Sequence, residues 1–206
     1  MMSSTKSEIS QKGERTRQRV VEAARALFHA RGYGNTSMDD IVRKSRVTKG
    51  NLYYYFASKE ALGHAVLELT IAEQVESGVQ AEGDGPDAHI AALFRRAEQA
   101  LSDGRCKGGC LFGNLALEVS DLHDGLRQKL DQAFTTWERR VAALLEQGVR
   151  DGMFSRELDP RATARFVLAT LEGGILLAKV TRDVGALTAC ATMVVRVLDG
   201  YRETSR

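Results

Sequence analysis

The sequence predicts an all-α protein of about nine helices, arranged as a small basic N-terminal module followed by a larger helical bundle. Three observations carry that prediction. Apolar residues recur at three- and four-residue spacing along most of the 206-residue chain, and no segment alternates convincingly as a half-buried strand does. Only two prolines are present to interrupt helices. Charge is uneven: residues 1–60 carry a net +6 and the remainder −4, which the overall +2 conceals.

Between Lys12 and Arg31, the residues Val20, Ala23, Ala24, Leu27 and Phe28 share one helical face, and Gly32 supplies the stop. Thr36 and Ser37, ahead of Asp39 and Asp40, form a capping signature. They open a short helix ending near Ser45, with Met38, Ile41 and Val42 on its buried side. Thr48 caps a third segment over residues 49–56, in which Leu52 and Phe56 lie on one face. Ser58 caps the next helix, expected to reach about Gly78, with Glu60 in its first turn. The two short helices are joined by a tight turn near Arg46 and Val47, which is the layout of a helix-turn-helix.

Residues 81–86 are the strongest linker signal, and Pro86 suits the first turn of a helix running to about Asp103. A break over residues 104–109 precedes a short helix over 110–119. Leu122, Leu126, Leu130, Phe134, Trp137, Val141, Leu144, Leu145 and Val149 then mark one face of a long helix that ends near Gly152. Asp159-Pro160 opens a helix to about Thr181, and a last helix spans roughly residues 185–201. These two are apolar on more than one face, so their burial needs more than the rest of the chain. A second copy is the simplest partner, giving a homodimer through residues 160–181 and 185–201.

Residues 36–62, TSMDDIVRKSRVTKGNLYYYFASKEAL, resemble the helix-turn-helix of the TetR family of transcriptional regulators, including the run Leu52-Tyr53-Tyr54-Tyr55-Phe56 followed by Lys59-Glu60. The likeness is specific over about residues 12–65. It implies a DNA-binding domain at residues 12–60 and a ligand-sensing and dimerisation domain at residues 61–206. It also implies a repressor that releases a palindromic operator in double-stranded DNA when a small molecule binds or a thiol is modified.

The residues agree on physical grounds. Thr48, Lys49, Asn51, Tyr53 and Tyr54 project away from the Leu52 and Phe56 face, leaving donors and aromatic edges for bases, and Gly50 allows close backbone approach. Thr36, Ser37, Tyr54, Tyr55 and Lys59 stand at helix ends, where phosphates are held, and Arg46 in the turn completes the expected interface. Thr36, Ser37 and Thr48 would cap helices in any protein, and tyrosines also pack in cores. Yet three successive helical positions span about 200°, so the tyrosines cannot all face one core. One such helix makes few base contacts, so specific binding needs two copies about 34 Å apart on the duplex.

Cys110 follows Gly108-Gly109 at a predicted helix start, with Arg105 and Lys107 nearby, which predicts a lowered thiol pKa and reactivity towards electrophiles and oxidants. Gly109-Cys110-Leu111 and Ala178-Lys179-Val180 resemble an electrophile-responsive branch of the same family. That resemblance implies Lys179 as the cationic neighbour of Cys110. Cys106 is an additional thiol able to resolve an oxidised Cys110. The alternative for Cys110 is a small buried hydrophobe, and Cys190 reads as packing. A second sensing mode is reversible binding of a mostly apolar molecule between helices, lined by Phe94, Phe112, Phe134, Trp137 and Leu171. Gly173-Gly174 in mid-helix marks close packing or a pocket.

No cofactor is expected, and Cys106 and Cys110 lack neighbours in sequence to complete a metal site. No apolar run is long enough to span a membrane and no secretory signal is evident, so no membrane partner and a cytoplasmic location are expected. There is no Walker loop, His-Glu-x-x-His or compelling nucleophile-and-base pattern, so an enzyme is not expected. The rival readings are a helical adaptor without DNA binding and a cysteine-based enzyme.

Overall fold

The computed structural model describes residues 2–76 and 85–203, which form nine α-helices and no β-strand. In order they are α1 (Met2–Arg31), α2 (Met38–Ser45), α3 (Lys49–Tyr55), α4 (Lys59–Glu76), α5 (Pro86–Asp103), α6 (Leu111–Val119), α7 (Asp124–Arg150), α8 (Pro160–Thr181) and α9 (Gly185–Asp199). The all-helical expectation holds. Helix α1 begins ten residues before its predicted start, since no proline or glycine precedes Gly13. Of the predicted linker, residues 81–84 lie outside the described residues, while Pro86 opens α5 as expected.

The chain divides into two compact units, Met1–Gln74 with Asn114–Leu130, and Val75–Gly113 with Asp131–Arg206. In the first, Val20, Ala24, Leu27 and Phe28 of α1 are buried along with Ile41 of α2, Leu52 of α3 and Leu62 of α4. Leu115, Val119, Leu126 and Leu130 are buried there too. In the second, Ile90, Phe94, Val141, Leu145, Val167, Ile175, Leu187 and Leu198 belong to one core. Each such Val, Leu, Ile or Phe side chain contributes about 1.5–3 kcal/mol by leaving water, so amphipathic periodicity stabilises the helices through packing. Leu122 is a correction. The spacing placed it on the buried face of the long helix, but α7 starts two residues later, and Leu122 lies exposed in the preceding turn.

In the second unit α8 packs closely against α9. A Cβ on Gly174 would lie 2.7 Å from Leu187 Cδ1 and 3.2 Å from Cys190 Sγ, whereas one on Gly173 would meet nothing within 4 Å. Close packing therefore accounts for Gly174. Gly174→Ala is expected to destabilise the fold by about 1–3 kcal/mol, because the overlap outweighs alanine's better helix propensity of about 1 kcal/mol. Urea denaturation measures it, and an unchanged or raised midpoint would contradict this account of the packing. Other positions on the pair remain open: Phe166, Leu176, Leu177 and Val180 of α8, and Met193 and Val195 of α9, are all exposed apolar residues.

Candidate nucleic-acid interface and sensor site

Ser37 caps α2, its hydroxyl oxygen accepting from the Asp40 N–H at 3.1 Å while the Asp40 carboxylate accepts from the Ser37 N–H at 2.9 Å. The side-chain and backbone hydrogen bonds from Ser37 hold the Asp40 carboxyl down at about 2. Arg46 ends α2 in the left-handed region, φ 55°, turning the chain towards α3. The carbonyls of Ser45 and Arg46 accept from the Arg19 guanidinium at 2.9 and 3.4 Å. Thr48 caps α3 by accepting from the Asn51 N–H at 3.2 Å.

This construction turns the two faces of α3 in different directions. Leu52 is fully buried and Phe56 nearly so, with the Arg17 guanidinium 5.4 Å from the Phe56 ring centroid. Thr48, Lys49, Gly50, Asn51, Tyr53 and Tyr54 are exposed, Tyr54 at 81%, as are Ser37 and Arg46. Tyr55 is half-buried, and its ring meets that of Tyr54 edge-on at 5.0 Å. A Cβ on Gly50 would meet nothing within 4 Å, so the fold leaves the surface above it open.

Two predicted phosphate contacts turn inward instead. Thr36 is buried, and its hydroxyl donates to the Gly32 carbonyl at 2.8 Å. The Lys59 ammonium donates to the Tyr33 and Thr36 carbonyls at 3.0 and 3.2 Å and sits 4.3 Å from the Tyr33 ring centroid. Both side chains donate to backbone carbonyls of the α1–α2 connection, a demand that the one-dimensional pattern does not display.

The same connection is held by Gly32, the expected helix stop, and by Tyr33, Gly34 and Glu118, which no local motif assigns to it. Gly32 has φ 89°, and its neighbour Gly34 donates its N–H to the Glu118 carboxylate at 2.8 Å. A Cβ on Gly32 would lie 2.6 Å from Glu118 Oε1, so glycine is required there for space as well as conformation. Tyr33 is buried between Phe28 and His123, its ring centroid 5.1 and 5.5 Å from theirs. Burial, then the Glu60 charge, pushes its hydroxyl up to about 12.

In the second unit, Cys110 immediately precedes α6, as predicted, but its chemistry is the reverse of the expectation. Although the residue keeps some open surface, protein atoms crowd the sulfur. Burial and the Glu172 carboxylate push the thiol up to about 12, against the Phe112 and Gly113 amides, which favour thiolate. Glu172 is itself raised by burial and is hydrogen-bonded to Cys110. Its carboxylate oxygen occupies the space a Gly113 side chain would need. A charged neighbour of Cys110 is thus an acid from mid-α8. Lys179 lies seven residues further along the same helix, about 10 Å on.

Cys106 is buried within the core of this unit in a left-handed conformation, φ 55°, and its carbonyl accepts from Arg182 at 2.8 Å. Phe112 and Trp137 meet edge-on at 4.7 Å, and Phe134 meets Trp137 likewise at 5.4 Å, so three of the five predicted pocket residues form one aromatic cluster. Phe94 is buried, and Leu171 is half-buried against the same core. Among the described residues no group of three or more His, Cys, Asp or Glu is placed to hold a metal ion, and no helix is long and apolar enough to cross a membrane.

A helix-turn-helix that presents a polar, tyrosine-rich helix on an otherwise all-helical chain defines a DNA-binding transcriptional regulator. Residues 20–66 match the profile of bacterial regulatory proteins of the tetR family, and residues 86–194 match that of the tetracyclin repressor-like C-terminal domain. The chain belongs to the TetR family. It is 31% identical over 185 residues to the HTH-type transcriptional repressor DhaR of Mycobacterium sp. (strain GP1), covering 88% of this chain and 91% of that one. It is also 31% identical over 179 residues to the HTH-type transcriptional repressor NemR of Escherichia coli (strain K12), covering 82% and 86%. The crystal structure of regulatory protein TetR from Rhodobacter sphaeroides superposes with a TM-score of 0.81 at 31% identity, covering 87% of this chain and 96% of that one.

Proposed function

We propose that this regulator is a homodimeric repressor that binds a palindromic operator through residues 12–60 and releases it when its C-terminal domain, residues 61–206, is occupied by a small molecule. The observation that carries this reading is the outward face of α3, where Thr48, Lys49, Asn51, Tyr53 and Tyr54 are exposed over a buried Leu52. Ser37, Arg46, Gly50 and Tyr55 complete the DNA-facing set, while Thr36 and Lys59 support it from within. The description of relatives such as DhaR and NemR as repressors favours repression. The exposed apolar residues of α8 and α9 form the dimer interface, which places two α3 helices on one duplex.

Reversible occupancy is favoured over thiol modification. A thiol raised from 9.0 to about 12 holds about a thousandfold less thiolate at neutral pH, whereas Phe112, Phe134 and Trp137 form an aromatic cluster of the kind that packs against a mostly apolar ligand between helices. Release needs only a difference in affinity between two conformations, typically about 1–3 kcal/mol. Selection of genomic fragments by the purified protein tests the reading. The expected result is a short palindrome bound with an affinity that falls as salt rises. Binding to arbitrary duplex without salt dependence would point to an adaptor instead.

A further inference from the structure

The first turn of α2 carries two adjacent carboxylates with different surroundings. Asp40 completes the helix cap with Ser37 and pairs with the Arg43 guanidinium. Asp39 reaches across to α3, where its Oδ1 lies 2.9 Å from the Nζ of Lys49, the first residue of that helix. Both side chains are well exposed, Lys49 at 62% and Asp39 at 59%. An acid in the first turn favours the α2 dipole, but exposed ion pairs contribute little to fold stability, so stability does not account for the pairing of this carboxylate with Lys49. On a surface that approaches phosphates, the carboxylate is itself repelled by DNA and cancels the charge of the neighbouring lysine.

We propose that Asp39 is a specificity-determining residue, which holds Lys49 neutralised so that this lysine does not grip arbitrary phosphate backbone. The proposal rests on the reading of the α3 face as the DNA-binding surface. Non-specific affinity arises from counterions released as lysines and arginines neutralise phosphates, at a slope of about 0.9 per contact in log affinity against log salt. A lysine already paired with a carboxylate adds nothing to that slope. Discrimination then rests on base-edge contacts from α3, such as those of Asn51 and the tyrosines.

The test measures operator and random-sequence duplex binding by the full-length protein over a salt series. Asp39→Asn is expected to tighten random-duplex binding several-fold and to steepen its salt slope by about 1.8 for two freed lysines per dimer. The operator-to-random ratio should fall accordingly. Asp39→Glu should retain the original slope, and Asp39→Asn combined with Lys49→Gln should return to it. An Asp39→Asn slope equal to that of the unaltered protein would overturn the proposal. So would an equal weakening on both duplexes, which would make Asp39 a mere support for Lys49. If the unaltered protein showed no salt-dependent duplex binding, the parent reading would fail and this proposal with it.

Discussion

At pH 7, Cys110 is expected to react with iodoacetamide roughly fiftyfold more slowly than an unperturbed cysteine. Moving the thiol from its ordinary 9.0 to about 12 lowers the thiolate fraction at neutral pH by about a thousandfold. The higher intrinsic nucleophilicity of a more basic thiolate returns about twentyfold of that loss. The rate should climb about tenfold per pH unit without levelling below about pH 11, as followed by peptide-level mass spectrometry that separates Cys110 from Cys106 and Cys190. Glu172→Gln removes the charge but not the burial, and should raise the rate at pH 7 several-fold. Fast modification with a plateau near neutral pH would instead restore a thiolate sensor.

The same shift has a consequence for stability. The unfolded chain loses this proton near 9.0, while the folded chain keeps it to about 12. Between those values the native state binds more protons, so stability falls as pH rises. The contribution is complete below pH 9 and is lost towards pH 12.

Val180→Asp is expected to give a folded monomer whose operator affinity is at least about a hundredfold weaker. At 72% exposure in the isolated chain, Val180 can become charged without disturbing its own core. Across a dimer interface the same carboxylate would be buried without a partner, at a cost of several kcal/mol. Loss of the dimer separates the two α3 helices, and the second half-site is no longer engaged at high effective concentration. Sedimentation and gel-shift titration measure the two effects together. A dimer of unchanged affinity would remove α8 from the interface.

The helix-turn-helix was legible because its signals are local. Ser37 and Thr48 cap the helices they directly precede, Arg46 sits at the turn, and Leu52 and Phe56 are four residues apart on one face. Exposure of the apolar α8 positions was legible in part, since a helix apolar nearly all round announces that some face lacks cover within the chain. Which residues make that face was not legible, because Gly173 and Gly174 are alike in sequence. Only the presence of Leu187 and Cys190 beside Gly174 tells them apart.

The sequence by itself determined the helices, the family and the outward set on α3, because capping, periodicity and motif spacing act over a few residues. Tertiary structure alone decided the sign of the Cys110 shift, the inward use of Thr36 and Lys59, and the pairing of Asp39 with Lys49. A charge or a hydrogen-bond acceptor acts on whatever packing brings within a few ångströms. Glu172, which acts on Cys110, belongs to a helix far along the chain.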